Sequence, residues 1–284
     1  MFLGRADGRR LRHTDPMYRI ASHIMVKRSD AMNNITLDIP LEPIDTYIRQ
    51  KKKEGVSLSH MSVILAAFNR TMCDFPALNR FVVNKRIYSR KEIAIGMVVL
   101  KAGASGAETM NKIYLQPEDT IFDVNQRINE YVEASRDVKD KNATDKIIKT
   151  LVGLPGLLRT AVCVLKWMDK HNMLPRFIIK ASPFHTTMVF TNLASIRTNY
   201  IHHHVYDFGT TSMVMAAGNT REVPRRSRDG EIEHVKCLPL GLVMDERIAT
   251  GYYFSQAFRK MKEYFNDPSL LELPPEQILE DPEL

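Results

Sequence analysis

The spacing of apolar residues divides the chain into helical and extended stretches. Residues 34–39 alternate, with Ile35, Leu37 and Ile39 on one side, and predict a strand. From residue 43 the pattern turns helical and stops at Gly55, the place of a C′ glycine. Residues 57–73 form the clearest amphipathic segment. Met61, Ile64, Leu65, Phe68 and Met72 fall on one stripe, and Ser57 or Ser59 can cap it. Asp74-Phe75-Pro76 ends it, because the residue before proline avoids helical backbone. Residues 80–83 and 86–89 read as a hairpin about Asn84-Lys85. Residues 92–100 read as a longer strand, with Ile93, Ile95, Met97 and Val99 alternating, and 101–106 as a loop. Thr120 caps a helix to about residue 138, with Ile121, Val124, Ile128 and Tyr131 inward and Glu118 and Asp119 at its positive end.

Residues 151–167 are the most apolar stretch. Pro155, Arg159 and Lys166 interrupt it, and a membrane span needs ~20 apolar residues. A core or lid helix is the expectation, with docking on a membrane surface as the minor alternative. The last third predicts strands at 186–193, 211–217, 231–236 and 238–246, with Asp229-Gly230 as a hairpin turn. A helix at 251–265 buries Phe254, Phe258, Met261 and Phe265, and Asp267-Pro268 stops it. No repeat or linker interrupts this order. The pattern predicts an α+β fold, a single domain with a mixed, largely antiparallel sheet and flanking helices. Residues 1–30 read as an Arg-rich arm with a turn at Asp7-Gly8, 31–268 as the domain and 269–284 as an acidic tail.

Composition narrows the function classes. Three cysteines cannot all pair and none forms C-x-x-C, so reduced thiols are expected. The first dozen residues lack the apolar core of a signal peptide, which predicts a cytoplasmic protein. Net charge is +7, although residues 266–284 hold six acids and no base. The basic remainder suits a phosphorylated ligand. The cations are scattered and lack aromatic interleaving, so nucleic acid is not expected. Nucleotide-binding, zinc-protease and α/β-hydrolase motifs are absent. His202-His203-His204 has no Cys, Asp or Glu at ligand spacing, so no metal is expected. On a strand only His202 and His204 would share a face.

The order of several fragments carries more. Phe75-Pro76-Ala77-Leu78-Asn79 follows a helix, and Phe190-Thr191-Asn192-Leu193 lies on a strand. The run from Leu240 through Asp245-Glu246-Arg247-Ile248-Ala249-Thr250-Gly251 leads into the last helix, and Asp267-Pro268 closes it. Over residues 30–275, less well at 135–180, this order resembles the catalytic domain of the acyltransferase component of 2-oxoacid dehydrogenase complexes. Chloramphenicol acetyltransferase is that domain's relative. The family's run reads D-H-R-x-x-D-G. Asp245, Arg247 and Gly251 match it, Glu246 stands at the histidine and Thr250 at the aspartate, so H-x-x-x-D-G becomes E-R-I-A-T-G.

The resemblance implies a chloramphenicol acetyltransferase-like fold and a homotrimer with active sites between subunits. It also implies coenzyme A or acyl-CoA as substrate and a small thiol or hydroxyl acceptor. In the family a histidine deprotonates the acceptor, and a Ser or Thr hydroxyl of the neighbouring subunit stabilises the oxyanion. That hydroxyl falls on Thr191, less well on Ser195. Glutamate is ordinarily the weaker base, at about 4.3 against about 6.5 for histidine. Glu246 therefore needs burial to act as base, or His185, His203 or His204, on segments flanking the family's cleft, replaces it. The alternative is a Glu246–Arg247 ion pair in a catalytically inactive trimeric binding or scaffold relative. The residues that bind the cofactor are left unassigned. No lipoyl attachment and no membrane-spanning segment is expected in this chain, nor a complete multienzyme core component.

Overall fold

The computed structural model describes residues 4–100, 108–136, 156–227 and 229–284. Its organising element is a long strand, β10 (Ile232–Asp245). From Leu240 to Met244 it is paired on both edges, antiparallel to β2 (Met32–Pro40) and β8 (Met213–Ala217). β8 continues in parallel to β7 (Met188–Asn192), and β7 in parallel to β5 (Ile93–Leu100). β6 (Glu108–Leu115) closes that side antiparallel, and β9 (Arg221–Arg226) pairs with the first half of β10. This seven-stranded sheet is mixed and largely antiparallel, as expected. A smaller sheet sets β1 (Gly8–Arg10) and β3 (Arg80–Val83) on either side of β4 (Arg86–Arg90).

One face of the large sheet carries the main core. Ile39, Ile95, Met97, Met188, Phe190, Met215, Leu240 and Leu242 meet four helices there. These are α2 (Leu41–Lys53), α3 (His60–Asp74), α4 (Ile121–Arg136) and α7 (Gly251–Asn266). Local chemistry fixes their ends. Gly55 has φ +87°, and its N–H and that of Val56 bond the carbonyls of Lys52 and Lys51, a Schellman close to α2. Ser59 caps α3 through Ser62 N, and Thr120 and Asp123 cap the start of α4 reciprocally. The hairpin turn at Asn84-Lys85 has both φ values positive, the geometry of a tight two-residue loop.

Several expectations are corrected. α3 is buried on all sides from Ser62 to Cys73, not along one stripe. The chain's end covers its outer side: Arg70 donates to the Leu270 carbonyl at 3.1 Å, and Leu279 N bonds the Cys73 carbonyl at 2.9 Å. The strands expected at 231–236 and 238–246 are one strand, and β9, not 211–217, is the other arm of the Asp229-Gly230 hairpin. β1 and β9 escape the alternation rule because charged and polar residues fill them, and β6 alternates only at its end, where Ile113 and Leu115 are buried. Asp7-Gly8 is not a turn. Gly8 enters β1, where a Cβ would lie 2.7 Å from the Phe81 ring. Ile35 is 36% exposed, so only Leu37 and Ile39 of its stripe reach the core.

Residues 4–30 are built into the same body: β1 pairs with β4, and Arg5 and Arg28 are buried. The stretch expected as a core or lid helix is α5 (Leu157–Lys170), with residues 151–155 outside the described set. It is no core helix, because Leu157, Leu158, Val162, Val164 and Trp167 are exposed. Two further helices, α1 (Pro16–Ile24) and α6 (Arg176–Ala181), lie outside the sheet layers.

Candidate active site

The second face of the large sheet is lined by the alternate residues Val189, Val214 and Val243. An extended segment, residues 199–206, crosses it without joining the sheet. Two glycines let it approach. A Cβ on Gly218 would lie 2.1 Å from Tyr200 N, and one on Gly241 would lie 2.3 Å from the Ile201 carbonyl oxygen. Val205 then packs over the sheet, its N–H on Met32 Sδ at 3.2 Å. The histidine triplet is therefore on this strap, between the strands expected at 186–193 and 211–217.

The strap fixes each histidine differently. His202 Nε2 lies 3.2 Å from both the Ile35 carbonyl and Thr36 Oγ1. His203 Nδ1 lies 2.8 Å from the His204 carbonyl oxygen. A carbonyl only accepts, so Nδ1 is the donor, which in the neutral ring leaves the lone pair on Nε2. The His203 and His204 rings stack at 4.6 Å, and His204 meets the Tyr206 ring edge-on at 5.0 Å.

Asp245 anchors the end of the sheet that the strap reaches. Its carboxylate is fully buried and accepts from Arg247 Nε at 2.8 Å and Nη2 at 2.6 Å. Arg28 Nε stands 3.4 Å from Oδ2, the oxygen that Arg247 Nη2 also holds. Arg28 also donates to the carbonyls of Tyr206, Gly209 and Val82. One carboxylate thus ties together β10, the arm, the strap and β3. Composition and spacing gave no hint of Arg28, since it lies 217 positions before its partner in an arm read as separate.

Glu246 follows, half-buried. Its N–H bonds the Ala31 carbonyl at 2.8 Å, and its Oε2 accepts from Asn33 Nδ2 at 2.7 Å. The alternative of a Glu246–Arg247 pair fails, because Arg247 spends its guanidinium on Asp245. Thr250 Oγ1 accepts from Tyr253 N and caps α7, which begins at Gly251.

Thr191 lies on the second face at the opposite end. It stands in register with Ala216, which is in register with Gly241. Glu246 lies five positions beyond Gly241, roughly 16 Å at strand rise. The structure therefore brings Glu246, Asp245, Arg247 and the end of the strap together and leaves Thr191 apart.

His185 stands elsewhere, 1% exposed. Its Nδ1 lies 2.8 Å from Ser182 Oγ, and its Nε2 lies 3.4 Å from Asp169, which Arg5 also holds at 2.6 Å. Burial lowers the His185 pKa against the upward pull of Asp169. Burial alone would raise the Asp169 carboxyl, but His185 and Arg5 outweigh it and hold it low. The cavity beside His185 is about 20 Å³, room for about one water. Among the described residues no group of three or more His, Cys, Asp or Glu is placed to hold a metal.

No protein-family model and no curated protein matches the sequence. Solved structures do match. A probable dihydrolipoamide acetyltransferase from Listeria monocytogenes 4b F2365 aligns over 89% of this chain and 92% of its own, at 15% identity and TM-score 0.56. The dihydrolipoamide acetyltransferase of Azotobacter vinelandii aligns over 92% and 93%, at 12% identity and TM-score 0.58. Its structure addresses a serine, a histidine and an asparagine in the catalytic mechanism. A chloramphenicol acetyltransferase aligns over 89% and 99%, at 11% identity and TM-score 0.52. The chain therefore has the α+β fold that these acetyltransferases share.

Proposed function

We propose that this protein moves an acyl group from a coenzyme A thioester to a small hydroxyl or thiol acceptor, at a site completed by a second copy of the chain. The observation that carries this is the division of the candidate groups. Thr191 sits on β7, whereas His203 follows His202, whose ring lies on Thr36 of β2, three strands away and roughly 14 Å at the spacing of paired strands. A site using both hydroxyl and imidazole is completed by a second copy, and a trimer provides it. His203 is the base: its Nδ1–H is tied to a carbonyl, and Nε2 can take the acceptor's proton. The freed oxygen or sulfur attacks the thioester carbonyl. The Thr191 hydroxyl of the neighbouring copy donates to the oxyanion, which collapses and expels the coenzyme A thiolate. Glu246 positions Asn33 and the end of β10.

One observation favours a second reading, binding without turnover. Thr250 is spent on capping α7, so the family's bracing carboxylate has no counterpart there. An acceptor screen with acetyl-CoA, following thiol release, separates the two. Release that disappears in His203→Ala supports transfer. Coenzyme A binding with no release above the uncatalysed rate for any acceptor supports the second reading.

A further inference from the structure

Two basic grooves lie beside the N-terminal arm. The larger, about 1230 Å³, is lined by Arg9, Arg10, Arg12, Arg19, Arg86 and Lys91, with no carboxylate among its lining residues. The smaller, about 400 Å³, is lined by Lys27, Lys85, Lys166 and Lys170. Its two acids are already committed, Asp169 to Arg5 and Asp207 to the N–H groups of Arg28 and Ser29. The Asn84-Lys85 turn borders both grooves.

Helices α1 and α5 flank this surface. α1 supplies Arg19 and His23 to the large groove, and Val26-Lys27 just after it reach the small one. α5 supplies Lys166 and Lys170 to the small groove, and Asn172 just after it reaches the large one. Both helices turn apolar side chains to solvent. In α1, Ser22 is buried and Tyr18 packs on the core, while Met17, Ile20 and Ile24 are 68%, 49% and 75% exposed. Their steps of three and four place them on one stripe, next to Arg19 and His23 on the helical wheel. In α5 the outward set ends at Trp167, the chain's single tryptophan.

Clustered cations and outward apolar stripes together select the occupant. A nucleic-acid backbone would neutralise the grooves and leave the stripes in water. An apolar protein partner would cover the stripes and leave the cations uncompensated. A bilayer surface with anionic headgroups satisfies both, phosphates entering the grooves and the stripes entering the acyl boundary. We propose that the α1–α5 face docks on an anionic lipid bilayer, with Trp167 at headgroup depth. The contact is peripheral, since among the described residues no helix is long and apolar enough to cross a membrane.

The test uses the full chain with phosphatidylcholine vesicles, with and without phosphatidylserine. Sedimentation with the anionic vesicles alone, reversal by salt and a blue shift of tryptophan emission are expected. The double variants Ile20→Asp/Ile24→Asp and Arg10→Glu/Arg12→Glu should each lower the vesicle-bound fraction at least about tenfold. Both should keep the wild-type circular dichroism spectrum and melting temperature. Equal binding to neutral vesicles, or unchanged binding in either folded variant, overturns the proposal. So does binding of inorganic tripolyphosphate or single-stranded DNA without binding of vesicles. A lower oligomer mass in Ile20→Asp/Ile24→Asp would assign the stripe to a contact between copies and overturn it equally.

Discussion

Single side chains carry the sharpest consequences. His203→Ala should lower the turnover number by about 10²–10⁴-fold. Glu246→Gln keeps the acceptor for Asn33 and should cost less than about tenfold; a larger loss would move the base to Glu246. Asp245 has a structural consequence. Asp245→Asn keeps the shape but leaves Arg28 and Arg247 with an uncompensated buried charge, at a cost of about 3–5 kcal/mol in urea unfolding. His185 gives the pH dependence. Burial lowers its pKa in the folded state, so the unfolded chain takes up the proton first as pH falls. Its contribution is complete above about 6.5 and declines below that, by up to about 1.4 kcal/mol per pH unit, until the folded pKa is reached. The low-held Asp169 carboxyl extends the loss to more acid pH, below its ordinary 3.8. Unfolding free energies at pH 7 and 5 should differ less in His185→Asn than in the parent. An equal difference would remove His185 from this account.

Among the elements, those read correctly from sequence have a period and a punctuation mark. α2 closes on Gly55, α3 opens on Ser59, and the β3–β4 hairpin turns at Asn84-Lys85. The elements missed lack apolar alternation because their partners satisfy backbone groups while their side chains remain polar. β9 and β1 are of this kind. The strap is a different case. Its conformation is set by two glycines elsewhere in the chain, so no local pattern around the histidines marks it. Gly241→Ala tests that origin. The new methyl collides with the Ile201 carbonyl, so the strap must shift, at about 1–3 kcal/mol of stability, with turnover lost alongside. Wild-type stability with wild-type turnover would show that the close approach is dispensable. Of the candidate site, the run from Asp245 to Gly251 was legible because its residues are contiguous. Arg28 and Asn33 were not, because long-range pairing brings them there.

At the scale of the whole molecule, the fold is shared with acetyltransferases at 11–15% identity. At that identity the fold rests on patterning rather than on particular residues. The separation of Thr191 from the strap histidines across the sheet makes assembly part of the function proposed here. Light scattering should give three times the chain mass. Co-expressed Thr191→Val and His203→Ala chains, each inactive alone, should regain up to about a quarter of parental activity if the site draws on two copies. No recovery would place both groups in one chain's site. The most direct test of the acyl-CoA site on which the proposed transfer depends is a calorimetric titration of the purified protein with acetyl-CoA. The account predicts saturable binding in the micromolar range, one equivalent per chain. No detectable binding at millimolar acetyl-CoA would contradict it.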